Sequence, residues 1–295
     1  MKVTLTRISS LALLTTLAVS CSRVEPVAPT QTPTAATVSQ DATRDSHLTM
    51  GNPSGAVTDA INSPNNYLMS KTQFALSYSR DKGKANWVSW HLSSAWVGST
   101  PRQDNFAADA ALPSTWFRAT TTSYTGSGFD RGHNCPSADR TSSVADNSAT
   151  FLMTNMMPQA PRNNQQTWAN LEDYCRTLLN SGNEVYVICG SYGQGGSGTN
   201  GFATTIDQGR IRVPAHCWKV VVILPVGTND AARVSASTRV IAIDTPNDNN
   251  ISTTWGTYRT SIDAIESATG LDLLSAIPTA VQQVVEARVD NGPTS

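Results

Sequence analysis

The stretch Phe129-Asp130-Arg131-Gly132-His133-Asn134-Cys135-Pro136-Ser137-Ala138-Asp139-Arg140 gathers four ionic side chains and a histidine, in a chain where only 15% of residues are charged. Asp130-Arg131-Gly132-His133 sets an acid, a permanent cation and a titratable base side by side. The glycine is expected to let the chain bend, so that Arg131 and His133 face one point. The planar fork of an arginine suits phosphate oxygens, and a histidine suits proton removal near neutral pH. Taken alone, the run would equally serve as a surface turn with an incidental ion pair. The rest of the chain has to decide.

Downstream, Phe151-Leu152-Met153-Thr154-Asn155-Met156 is expected to form a short apolar strand ending in an amide. Residues 162–180 predict the clearest helix, with Trp168, Leu171, Cys175, Leu178 and Leu179 in one apolar stripe. Asn164 falls on that face near the helix start, while Glu172 and Arg176 flank it. A buried asparagine is costly unless its amide is satisfied. Helix capping would satisfy it, with Asn163 as a competitor for the cap. So would Mg²⁺, which takes oxygen ligands and keeps most of its waters.

Upstream, residues 74–79 and 86–92 predict strands joined through Asp81-Lys82-Gly83-Lys84. The loop-rich region 99–128 carries Arg102 and Arg118. Further strands are expected at 184–189, 217–226 and 238–243, the middle one nearly continuous in Val, Ile and Leu and so covered on both faces. The glycine-rich stretch 190–201 lacks a Gly-Lys-Ser/Thr ending and predicts only flexibility. Helices are expected at 260–270 and 279–290. The fold class that follows is α+β (mixed α/β), a central, largely antiparallel sheet flanked by helices.

The N-terminus has the layout of a secretory signal over 1–21: Lys2 and Arg7, an apolar stretch from Ile8 to Val19, then small residues up to Cys21. Leu17-Ala18-Val19-Ser20-Cys21 resembles a lipobox, which makes Cys21 the expected lipid anchor, although Ala18 stands where Leu, Val or Ile is usual. Residues 22–46, rich in Pro and Thr, predict a flexible tether, and 47–291 one folded domain. Residues 1–21 hold two of the 21 Lys and Arg and none of the 22 Asp and Glu, so the remainder has 19 against 22, a net charge of −3. That excludes holding nucleic acid by bulk positive charge and leaves only a local cluster for the task.

Three ordered motifs then converge. Asp130-Arg131-Gly132-His133, Thr154-Asn155-Met156-Met157-Pro158-Gln159 and Asn164-x-x-x-Trp168-x-x-Leu171-Glu172 resemble the DNA/RNA non-specific endonuclease family, the sugar-non-specific nucleases with a ββα-metal (His-Me finger) fold. The similarity runs from Gly51-Asn52-Pro53-Ser54-Gly55 to the C-terminal helices. The resemblance implies His133 as the general base, Asn164 as the direct protein ligand of Mg²⁺ (with Mn²⁺ as a substitute) and Glu172 as the residue that positions metal-bound water. It implies Arg131 and Arg176 near the phosphate or leaving group, Asn155 as a supporting amide, and Arg102 as the upstream phosphate-binding arginine, with Arg118 competing. Asn134-Cys135 after His133 departs from the family's usual, less polar residues there.

The implied activity is Mg²⁺-dependent endonuclease cleavage of DNA and RNA, single- and double-stranded, without sequence preference and leaving 5′-phosphate ends. Together with the N-terminal signal, this predicts a monomer that is secreted, periplasmic or on the outer surface, held by lipid at Cys21, with simple secretion as the alternative. Any protein inhibitor is not readable in the sequence. The rival is a catalytically inactive nucleic-acid-binding lipoprotein, against which intact His133, Asn164 and Glu172 argue. A sequence-specific endonuclease on the same finger is a third reading, with no added DNA-binding segment to support it. Once Cys21 is removed, four cysteines remain, allowing three connectivities. A shared site for His133 and Glu172 would bring Cys135 near Cys175, and consecutive strands would bring Cys189 near Cys217. The expected disulfides are therefore Cys135–Cys175 and Cys189–Cys217, with four buried free thiols as the alternative.

Overall fold

The computed structural model describes residues 43–295. The expected signal segment, Cys21 and the tether up to residue 42 lie outside the described residues. Residues 43–46 are held against the domain: Arg44 donates to the Ala95 carbonyl and the Ser142 hydroxyl, and the Asp45 amide donates to His91 Nδ1.

The strands are β1 (Tyr67–Ser70), β2 (Ala75–Ser79), β3 (Lys84–Leu92), β4 (Asp130–His133), β5 (Met156–Gln159) and β6 (Asn183–Tyr192). They continue with β7 (Gly196–Gly198), β8 (Gly201–Ala203), β9 (Thr205–Ile206), β10 (Ile211–Arg212), β11 (His216–Pro225) and β12 (Arg239–Pro246). Helices α1 (Val144–Ala149), α2 (Ala169–Leu179), α3 (Asp230–Arg233), α4 (Ile262–Thr269) and α5 (Thr279–Val285) complete the chain, together with a π-helical segment at Asn163–Trp168 and short 3₁₀ turns.

Six strands form the main sheet in the order β1-β2-β3-β6-β11-β12, and every pair is antiparallel. Alternation along β11 explains why both faces are covered. Trp218, Val220, Val222 and Leu224 pack with Ile262, Ile265 and Val285 of α4 and α5 on one side. Cys217 and Val221 pack with Trp168, Leu171 and Cys175 on the other. The Val/Ile/Leu run is thus an interior strand buried on both faces, as its composition requires.

Three local expectations change. Phe151–Met156 is not a strand: Met153–Asn155 is a 3₁₀ turn, and the strand begins at Met156. A short apolar run cannot separate these alternatives by periodicity. The glycine-rich stretch is structured, since Gly190–Tyr192 completes β6 and β7–β8 form a hairpin. Its Gly198 lies so close to Gly128 that a Cβ would stand 2.3 Å from the Gly128 carbonyl oxygen, so the glycine serves close approach rather than looseness.

The two disulfides are also absent, and Cys135, Cys175, Cys189 and Cys217 are buried free thiols. In the β6–β11 register Cys189 faces Lys219 and Cys217 faces Ser191. The two cysteines are therefore diagonal neighbours on one sheet face, ~7–8 Å apart and beyond disulfide reach. Cys135 is pinned by the Asn155 amide, which accepts from its N–H and donates to its carbonyl, while Cys175 projects from α2 into the core. All four behave as small apolar side chains.

Candidate active site

Strands β4 and β5 pair antiparallel, with His133 opposite Met156 and Arg131 opposite Pro158, and the chain then enters the helix of residues 163–179. Asp130–His133 is extended, not bent. Arg131 and His133 share a side because alternate residues of a strand do. Gly132 is required for another reason: a Cβ there would lie 2.3 Å from Gln159 Oε1 and 2.6 Å from Gln159 Cβ.

Three aromatic contacts build the base position. The His133 ring meets Phe151 edge-on at 5.0 Å and Phe106 at 5.7 Å. Its carbonyl accepts from the Trp168 indole N–H at 3.3 Å. Nε2 is buried and has no hydrogen-bond partner among the described residues. Burial, reinforced by Arg102 and Arg131, pushes the His133 pKa down to about 3. The imidazole is therefore neutral at working pH and free to accept a proton.

The same rings carry the cations. Arg131 lies 3.9 Å over Phe106 and Arg102 4.8 Å over Phe151. Arg102 is also fixed by Asp104 at 2.6 Å and the Ser137 hydroxyl at 2.9 Å. Arg118 spends its guanidinium on the Ala110 and Leu112 carbonyls. Of the two upstream arginines, Arg102 is the one on the cleft.

The helix opens with the π segment, a distortion common at functional sites. Asn163, not Asn164, takes the buried position; it does not cap the helix but donates to Thr245 Oγ1 and the Pro246 carbonyl. Asn164 is half-buried, and its Nδ2 donates to Asp130 Oδ2 at 2.8 Å. Asn164 lines the cleft, and its Oδ1 accepts no hydrogen bond from the described residues. Two turns on, Glu172 receives a bond from Lys219 Nζ at 2.9 Å, with Lys219 itself 1% exposed and 4.0 Å over the Trp168 ring. Burial raises the Glu172 pKa, and Lys219 opposes that rise.

A cavity of about 340 Å³ is lined by Arg102, Phe106, Tyr124, Asp130, Arg131 and Asn164 among others. A second, of about 220 Å³, shares Arg102, Arg131 and Asn164 and adds His133, Ser137 and Glu172. Five of the seven sequence candidates thus meet in one cleft. Asn155 stands behind it, fully buried, donating to the Cys135 and Thr150 carbonyls and so fixing the loop after His133. Arg176 does not line either cavity; its guanidinium is bound to Asp139 at 2.7 Å and to Asp173.

Sequence reasoning gave no role to Asp130, which orients Asn164, or to Lys219, which pairs with Glu172. Each left a signal: Asp130 sits inside the quoted motif, and Lys219 is the single charge within an otherwise apolar strand run. A hard divalent ion fits the donor set, because Asn164 and Glu172 both line one cavity and, with Glu172 Oε1 taken by Lys219, Asn164 Oδ1 and Glu172 Oε2 still accept no hydrogen bond from the described residues.

A ββα finger that presents His133, Asn164 and Glu172 to one arginine-lined cleft defines a ββα-metal nuclease. A solved chain from an EndoG/EndoGI complex has the same fold, with a TM-score of 0.63 at 23% identity, over 80% of this chain and 92% of that one. The chain belongs to the DNA/RNA non-specific endonuclease family, whose sequence model matches residues 52–280. It is 46% identical to a protein named Nuclease from Nostoc sp. strain PCC 7120, over 95% of this chain and 97% of that one. It is 33% identical to Nuclease C1 of Cunninghamella echinulata var. echinulata, over 69% of this chain and 81% of that one. The protein is therefore an enzyme that hydrolyses nucleic acid, from a metal-dependent family.

Proposed function

We propose that this is a Mg²⁺-dependent endonuclease that cuts DNA and RNA alike, without sequence preference, and leaves 5′-phosphate ends. The observation that carries the proposal is the convergence of neutral His133 with Arg102, Arg131, Asn164 and Glu172 on one cleft. His133 takes the proton from a water molecule as that water attacks phosphorus in line. Arg131 and Arg102 hold the phosphate oxygens and offset the charge that builds on them. Asn155 keeps the base loop in register. Arg176 acts on this site through Asp139 rather than by contact.

Asn164 Oδ1 and Glu172 are the groups that would hold the cation. A bound Mg²⁺ would supply charge neutralisation at the phosphate and the leaving 3′ oxygen. The nucleophile is water, not a ribose 2′-hydroxyl, so DNA as well as RNA is a substrate. Contacts to phosphate and sugar alone read no sequence.

The chain works outside the cytoplasm, delivered by the 1–21 signal and held by lipid at Cys21; the motif at Leu17–Cys21 supports this. An in-gel assay on wild type and His133→Ala, with Mg²⁺ and with EDTA, tests the activity. Cleavage of both polymers by wild type alone, lost in EDTA, is expected. Binding without cleavage by wild type would instead establish the inactive nucleic-acid-binding reading.

A further inference from the structure

On the face of the sheet opposite His133, α4 and α5 bring carboxylates together with nothing to balance them. Asp263 and Glu266 stand one turn apart on α4, and Glu286 follows the last residue of α5. One carboxylate oxygen from each lies within 4.8 Å of the others. None of the three makes an ion pair among the described residues. Glu286 is only 7% exposed, and its Oε1 is buried without any hydrogen-bond partner.

Such an arrangement costs free energy as it stands. Like charges repel, a buried acceptor lacks a donor, and Glu286 sits at a helix C-terminus, where the backbone dipole also disfavours an anion. Glu266 is anchored, one oxygen accepting from the Leu273 amide at 2.7 Å, and the backbones of α4 and α5 are tied where the Asp263 amide donates to the Glu286 carbonyl at 3.1 Å. Glu266 and the two helix ends are therefore held in place, and only the exposed Asp263 side chain is left to turn. What the cluster lacks is a compact cation with several open positions for oxygen.

We propose that Asp263, Glu266 and Glu286 form a second divalent-cation site, of Ca²⁺ type, that clamps α4 to α5 independently of the catalytic ion. Calcium accepts mixed carboxylate geometry at flexible coordination number, whereas Mg²⁺ demands a near-ideal octahedron. Three side chains drawn from two short elements suit the former. The site packs on the core layer formed by Ile262, Ile265 and Val285, whereas the catalytic cleft lies over the other layer. It binds the two C-terminal helices to the sheet.

Thermal unfolding of the metal-stripped protein with added CaCl₂ tests this. Wild type should gain melting temperature with half-saturation at ~10⁻⁴–10⁻³ M, the range of extracellular calcium modules. Glu286→Gln and the milder, exposed Asp263→Asn should lose that response, while Asn164→Ala, altered only in the catalytic cleft, should keep it. No calcium response in wild type overturns the proposal. So does a response that survives in Asp263→Asn and Glu286→Gln but disappears in Asn164→Ala.

Discussion

In the proposed mechanism His133 serves as the base, and its surroundings suit it to that role by refusing it a charge. Removing the imidazole should cut kcat/KM by at least ~10² while leaving the fold intact, as steady-state kinetics beside circular dichroism would show. The same refusal has a consequence for stability. Between pH 6.5 and about 3 the unfolded chain binds a proton at this position that the folded chain excludes. The stability contributed is whole above pH 6.5 and is lost as pH falls through that window. His47, pushed down to about 4 by burial, acts in the same direction, while Glu286, pushed up to about 7, opposes both. The readout is therefore a difference: His133→Ala should lose less melting temperature than wild type on acidification from about pH 7 to about pH 5. Asp130 invites a second test. It holds the Asn164 amide by one 2.8 Å bond, so Asp130→Ala should raise the Mg²⁺ concentration for half-maximal cleavage by ~10–100-fold, the usual cost of losing a ligand's supporting bond. A metal titration of initial rates checks it.

At the scale of elements, the contact between β11 and the catalytic helix is a buried ion pair. Lys219 projects from the sheet beneath Trp168 and reaches Glu172. Breaking one side of such a pair strands the other charge, which costs ~3–5 kcal/mol, whereas replacing both sides together costs far less. Lys219→Met should therefore lower stability strongly in urea unfolding, and Lys219→Met/Glu172→Gln should regain much of it while remaining poorly active. Equal stability of the single and double variants would show that the pair does not carry this contact. The finger itself is legible at this scale for a simple reason. Its two strands and helix are each short and local, and the residues that matter recur at fixed spacings along them. The glycine hairpin β7–β8 is not legible, because Gly198 answers to Gly128, some seventy residues away in sequence, and Gly196 to Asn247, some fifty away.

Across the whole molecule the four cysteines are structural without being linked. Burial pushes the Cys135, Cys175 and Cys217 thiols up to about 12 and Cys189 upward too, which leaves them inert as nucleophiles. The folded protein should show no thiol reactive to a disulfide reagent, the denatured 43–295 region should show four, and a reductant should not move the melting temperature. Stability rests instead on a six-stranded sheet covered by two apolar layers.

What the sequence determined alone was the chemistry and its order along the chain. Asp130-Arg131-Gly132-His133, Asn155, Asn164 and Glu172 stand out because acid, base, amide and carboxylate recur at short spacings, and the family resemblance, not the residues alone, supplies the roles expected of them. The mixed fold with its interior Val/Ile strand followed from composition and periodicity, which are likewise local. Tertiary structure alone decided which of Asn163 and Asn164 faces the cleft, that Arg102 rather than Arg118 reaches it, and that Arg176 stays with Asp139. It also decided that Cys189 and Cys217 lie on a diagonal. Each of these depends on strand register or on a partner distant in sequence. One residue of register, or one turn of a π-distorted helix, moves a side chain to the other face, and no local pattern records that choice.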